Sequence, residues 1–416
     1  MKKVVIAGAS TYGVKNMGDD AMLWNMVEGF RREWSGCQQT FLARHPDAEF
    51  DRFFGVRSIK NIDHDSKAQS IGRFFYGFNR GDNTVHLAGI RQALEESDLV
   101  VIGGNSFMEI SAADFLRGVP TYSSLLAQWA KLFGKPYALY GVAVHPIHNE
   151  YTKQAARFLC QNAQIVTLRE EASRENLRAA GVVIDNMVIQ QDPAYGVDPV
   201  WGKEAALEIL RRENITLTSK PVIGIGFRHM YWKWSEEETA QYAQKMAQIC
   251  DMVVDLTGGQ LLFIPNCTYN IDTPNEDDRV IAARIHSLMR HGTQAHEIRG
   301  DYNLRETVSL FQLLSLHISN RRHSSIFAAI HHVPIVALAT GHIWHFQPFM
   351  AELGLPEYVA DFMTEDVSAL SGCIGKAWQA RGHISATLQR VLPPLRELAR
   401  GHVKAIVASL DASGGK

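Results

Sequence analysis

The sequence offers little of what marks a secreted, membrane-spanning or nucleic-acid-binding chain. Its five cysteines, Cys37, Cys160, Cys250, Cys267 and Cys373, are odd in number and in no paired spacing. That excludes a disulfide framework or cysteine zinc site and fits thiols kept reduced in a cytosol. No apolar run approaches the roughly 20 residues of a bilayer crossing, and the one after Lys2 and Lys3 is too short for the core of a signal peptide. Neither sign of charge is in excess: 42 Lys and Arg against 44 Asp and Glu leave a net charge of -2. No global field therefore draws nucleic acid or an anionic membrane surface. Short repeats and low-complexity segments are missing apart from the terminal Ser-Gly-Gly-Lys. So are the glycine fingerprints of dinucleotide and nucleoside-triphosphate binding. The acidic pair Asp277 and Asp278 lies at an expected helix start and reads as a cap, so the residues demand no metal and no cofactor.

What is there is an ordinary globular composition, 46% hydrophobic and 21% charged over 416 residues, long enough for two domains. Strands and helices alternate along most of it. VVIAGA at 4–9 is a buried strand, followed by the loop STYGVKNMGDD and a helix from about Ala21 to Trp34, for which Asp19 or Asp20 is the expected N-cap. Gly13, Asn16 and Gly18 in that loop tolerate positive φ and allow close backbone approach. The polar region from about Gln39 to His86 opens with the strand QTFLAR and is either an excursion over the sheet or a flap. DLVVIGGNSF is a buried strand ending in Gly103, Gly104 and Asn105; PYALYGVAV is another, followed by His145; IVTLR ends at Arg169, and MVIQQDPAY closes the first half. After one amphipathic helix, a fresh buried strand, VIGIGF, runs into Arg228, Tyr231, Trp232 and Trp234.

The expected architecture is α/β, with two Rossmann-like domains facing a cleft: residues 1–200, a helical linker at 201–220, a second domain at 221–385, and a final helix at 386–416 packing back on the first domain. The most informative stretch is 316–340, LHISNRRHSSIFAAIHHVPIVALAT, which reads as strand, helix and strand. Ligands of open α/β sheets bind at the carboxyl ends of strands. Asn320, Arg321, Arg322 and His323 occupy that position at a helix N-terminus, which describes an anion site with a titratable group beside it. His331 and His332, at the other end of the helix, read as carbonyl caps.

Several of these segments occur together and in order: YGVKNMGDDAML, DLVVIGGNSF, VTLREEAS with LRAAG, QDPAY and SNRRHSSIFAAIHHVPIVAL. Across nearly the whole chain they resemble the polysaccharide pyruvyl transferase family, most closely its colanic-acid-type bacterial members, which show segments comparable to Thr268-Tyr269-Asn270, Glu276 to Arg279 and Glu352 to Glu357. The resemblance implies a fold similar to the GT-B glycosyltransferases. It also implies phosphoenolpyruvate as co-substrate, with its enolpyruvyl carbon joined to two sugar hydroxyls as a ketal. By carry-over His323 matches the family's motif histidine, Arg322 the residue next to it and Arg169 the arginine of the VTLRE turn. An imidazole there suits the general acid, and Arg322 and Arg169, joined from other positions by Arg228 and Ser324, would hold the donor, convergent cations being what a phosphate next to a carboxylate requires.

One departure stands out. The family commonly has a lysine after the strand that follows this helix, whereas ALATGHIWHFQPF has none, leaving His342 or His345 to stand in; His145-Pro146 likewise replaces a glycine-proline. A histidine there makes donor affinity more pH-sensitive. Tyr231, Trp232 and Trp234 either stack on the acceptor saccharide or fill an inter-domain surface. Lipid-linked or nucleotide-linked acceptors would suit a cytoplasmic protein that visits the inner membrane face, although no basic amphipathic helix argues for it. Two alternatives remain open: a GT-B-like glycosyltransferase with a nucleotide-sugar donor, and a non-catalytic glycan-binding member.

Overall fold

The computed structural model describes residues 1–8, 15–62, 85–104, 106–107, 119–198, 202–228, 234–268, 277–341 and 343–414. The chain divides into two compact units: Met1–Val14 with Asp19–Val197 and Arg396–Lys416, and Lys15–Gly18 with Asp198–Leu395.

In the first unit, strands β1 (Lys3–Ala7), β2 (Gln38–Ala43), β3 (Arg57–Lys60), β4 (Leu99–Gly103), β5 (Ser106–Phe107), β6 (Tyr137–Val144), β7 (Ile165–Leu168) and β8 (Met187–Ile189) form a parallel sheet of order 3-2-1-4-6-7-8, with β5 on β6. Its strands read as continuous apolar runs because both faces are covered. The period-two alternation sorts them: Val4 and Ile6 pack with Leu23, Met26 and Phe30, while Val5 and Ala7 pack with Ile90, Leu94 and Leu126. Val403, Ile406 and Val407 of the last helix, Arg381–Gly414, complete the first of these two layers. Pro393 and Pro394 lie inside that helix just before Arg396, where the chain rejoins the first unit.

The helix after β1 runs from Met17 to Glu33, a turn earlier than the sequence suggests. Asp19 and Asp20 lie inside its first turn and do not cap it; Asn16 Oδ1 accepts the Gly18 N–H at 3.1 Å instead. Asn16 also pairs with Cys267 as an isolated bridge immediately before Met17.

The second unit holds β9 (Val222–Gly226), β10 (Gln260–Phe263), β11 (Ala295–Glu297), β12 (Leu316–Ser319), β13 (Ile335–Ala339) and β14 (Val359–Asp361), all parallel, in the order 11-10-9-12-13-14. The order reverses between β9 and β12, and in such sheets the crevice at the carboxyl ends of those two strands is the place for a ligand. Among the described residues, no helix is long and apolar enough to cross a membrane.

Candidate functional site

At the reversal point of the second unit, the loop after β12 is tied down before it enters the Arg322–Ile330 helix. Ser319 Oγ donates to the Gly226 carbonyl at 2.7 Å and accepts the Arg321 N–H at 2.9 Å. Asn320 clasps the backbone of Arg228, accepting its N–H at 2.6 Å and donating to its carbonyl at 3.2 Å, while Tyr242 also donates to that carbonyl. Trp234 packs against Tyr242 with ring centroids 4.8 Å apart. The Arg228 side chain itself is exposed.

The four side chains that follow point four ways. Arg321 is sequestered: its guanidinium pairs with Asp278, and both side chains are buried. Arg322 lies over the Phe349 ring, 5.3 Å from its centroid, with only 9% of its surface exposed. His323 is half-buried, while Ser324 turns into the core, where its hydroxyl meets Nε2 of His317 at 2.8 Å. Burial pushes the His317 imidazole down to about 3, so it is neutral. Of the two arginines and the serine that the sequence put at this loop, Arg322 therefore remains beside His323. Arg321 gives no side-chain cap to the helix, whose positive dipole end faces the same place. Asp277 caps the Asp278–Leu288 helix as expected, whereas Asp278 is the ion-pair partner. His331 and His332 form the turn that ends the Arg322–Ile330 helix, His332 in the left-handed conformation at φ 58°.

His323 also has a tight neighbour from far back in the sequence. A Cβ placed on Gly18 would lie 2.1 Å from His323 Nδ1, too close for atoms that are not bonded, so one of the two would have to shift. The segment bearing Gly18 runs beside Asn266–Thr268, with Met17 N–H donating to Asn266 at 2.9 Å and Thr268 N–H donating to Lys15 at 3.1 Å. Next to it is a small depression walled by Lys15, Met17, Asn266, Thr268, Gly300 and Tyr302.

In the first unit, Arg169 follows β7 and is buried against Asp192, 3.3 Å away, in a pair whose carboxylate is wholly enclosed. Asp192 Oδ1 also accepts the Ala194 N–H. His402 braces this loop, its Nε2 donating to the Gln191 carbonyl at 2.7 Å and its Nδ1 meeting the Thr167 hydroxyl at 2.7 Å. A carbonyl can only accept, so the proton sits on Nε2, and burial pushes the ring down to about 4. Nothing in local sequence pattern marks His402; long-range contact alone gives it this role. Gly103 ends β4 and Gly104 follows it; Gly104, at φ 70°, needs a glycine and donates to the Tyr140 carbonyl at 2.8 Å. His145 is half-buried after β6. Burial, helped by neighbouring Asp19, raises the Asp20 carboxyl to about 8.

Gly13, Asn105, Tyr231, Trp232 and His342 lie outside the described residues, and His345 falls in the Ile343–Glu352 helix.

Residues 16–342 match the family model of polysaccharide pyruvyl transferase. The chain is similar to the amylovoran biosynthesis protein AmsJ of Erwinia amylovora, 23% identical over 378 residues that cover 86% of this chain and 88% of that protein. Among solved structures, a UDP-N-acetylglucosamine 2-epimerase assignment from Listeria monocytogenes aligns with a TM-score of 0.63 at 12% identity, over 99% of this chain and 96% of that one. Anabaena HepE in complex with UDP aligns with a TM-score of 0.55 at 13% identity, over 100% and 99%. At such identities the likeness is one of fold, which is GT-B-like.

Proposed function

This chain belongs to the polysaccharide pyruvyl transferase family, and from that premise we propose that it moves the enolpyruvyl group of phosphoenolpyruvate onto two hydroxyls of a saccharide during exopolysaccharide biosynthesis. The observation that carries the reading is the pairing of Arg322 and His323 at the start of a helix, with the Gly18 backbone against the imidazole. The guanidinium and the dipole end bind the adjacent phosphate and carboxylate of the donor. Phe349 holds the guanidinium plane in place for that contact.

The imidazolium of His323 delivers a proton to the methylene carbon, which becomes the methyl group, and the electron-poor centre so formed is attacked by the first sugar hydroxyl. The second hydroxyl then displaces phosphate, closing the ketal. Two hydroxyl protons are lost; one replaces the proton given by His323 and the other leaves on inorganic phosphate. No cofactor enters this balance. A half-buried site suits it, because partial exclusion of water strengthens the arginine contact and protects the cationic centre from hydrolysis.

Calorimetric titration of phosphoenolpyruvate into the wild type, Arg322→Ala and His323→Ala, between about pH 5.5 and 8 to bracket an imidazole, tests the reading. Binding lost in Arg322→Ala and kept in His323→Ala is expected. Absence of binding to the wild type at every pH overturns it. A second reading, transfer from a nucleotide sugar, draws on the fold shared with a HepE structure that holds UDP; UDP binding without any response to phosphoenolpyruvate would favour it.

A further inference from the structure

Asp278 makes bonds that no helix cap needs. Asp277 already caps that helix, accepting the Arg279 N–H at 2.9 Å. Asp278 reaches out of it: Oδ2 accepts the N–H groups of Asn266 at 3.0 Å and Cys267 at 2.9 Å, while Oδ1 takes the Arg321 guanidinium. Its own N–H returns to the Cys267 carbonyl at 2.9 Å. Asp278 as a whole is 4% exposed.

Two arms leave this one side chain. Along the first, the Asn266–Thr268 segment pairs with Lys15–Met17 through the Asn16 to Cys267 bridge, and the next residue, Gly18, abuts the His323 ring. Along the second, Arg321 immediately precedes Arg322 and His323 in the loop whose own N–H rests on Ser319. His323 thus sits where both arms end, its ring pressed by one and its backbone carried by the other. Burying two charges costs solvation that their attraction rarely exceeds, so an enclosed ion pair explains stability poorly and geometry better.

We propose that Asp278 is a positioning residue for His323, fixing the imidazole from both sides through Asn266–Cys267 and Arg321. Its role in catalysis rests on the pyruvyl-transfer reading; its effect on the ring does not. The test uses full-length protein with ring-labelled histidine and amide-labelled glycine and no substrate, the His323 resonance being identified by its loss in His323→Ala and the Gly18 amide by its loss in Gly18→Ala. Asp278→Asn keeps the side-chain volume and one acceptor oxygen but drops the charge. The His323 resonance is expected to move, together with the Gly18 amide, whereas Asp277→Asn lowers stability and leaves both in place. Affinity for phosphoenolpyruvate is expected to change by less than about threefold in Asp278→Asn, the arginine clamp and helix end being intact, while the displacement of the His323 resonance on donor binding is altered.

A folded Asp278→Asn protein with wild-type His323 and Gly18 resonances overturns the proposal. If that variant does not fold, Arg321→Lys, which keeps the charge and loses the planar fork, carries the same expectation at both resonances and the same refutation. Should the wild type ignore phosphoenolpyruvate, the pyruvyl reading fails, yet the ligand-free resonances still decide the positioning role.

Discussion

Gly18 and His323, 305 positions apart in the chain, are packed so closely that the smallest side chain on Gly18 would collide with the imidazole. An alanine in the first turn of a helix is ordinarily favourable over glycine by about 0.5–1 kcal/mol, because glycine loses more backbone freedom on folding. Gly18→Ala is therefore expected to reverse the usual sign and displace His323. A shift of the order of an ångström in a reacting group lowers turnover about 100-fold. Phosphate release from phosphoenolpyruvate in the presence of an accepted saccharide measures it; wild-type turnover in Gly18→Ala would show that the contact is immaterial.

The strand, helix and strand of 316–340 were legible because burial imposes periods that apolar residues repeat, and the placement of Arg322 and His323 follows from those periods and the position of the loop. What each neighbouring side chain does was not legible. Arg321 and Arg322 look equivalent in sequence, and only the partner 43 residues away, Asp278, removes the first from the site. Ser324 turns inward because His317, on the strand before it, offers a ring nitrogen. Asn16 became the helix cap, and it pairs with Cys267, which no local pattern encodes. Periodicity reports which face is buried; the partner across a long loop is set by the assembled fold.

Asp20 makes a prediction of opposite sign to most core substitutions. Its folded pKa, about 8, stands above the ordinary carboxylate value. A raised pKa means that the stability linked to the group is full below the unfolded value near 4 and is lost as pH rises towards 8. Asp20→Asn, which mimics the protonated acid, should thus gain roughly 1–3 kcal/mol at pH 8 and close to nothing at pH 4. Urea unfolding at the two pH values measures this, and an equal effect at both would show that the carboxyl is not the titrating group.

His402 titrates the other way. Its folded pKa, about 4, lies below the unfolded value near 6.5, so the stability it contributes is complete above about pH 6.5 and declines as pH falls towards 4. The span corresponds to about 3 kcal/mol at most. His317 follows the same sign with a lower midpoint. His402→Gln should flatten the loss of stability between pH 6.5 and 4.5 relative to wild type while lowering it at pH 7, where the bonds to Thr167 and Gln191 are broken. A variant whose acid limb stays as steep as wild type would assign that limb to other groups.

The Arg169–Asp192 pair separates charge from packing. Both side chains are buried and Asp192 is wholly so, which means that deleting one partner leaves the other as an uncompensated charge at a cost of about 3–5 kcal/mol. Asp192→Ala is expected to show that loss in denaturant unfolding, since a guanidinium cannot discharge itself at any working pH. Arg169→Met should be milder, because the abandoned carboxyl can take up a proton, and its penalty should shrink as pH falls while that of Asp192→Ala does not. If the two variants are equally unstable and equally insensitive to pH, the pair is not electrostatically coupled. In that case Arg169 owes its position to the 3.8 Å contact with Met22 and to its burial beneath the Gln191–Asp192 loop.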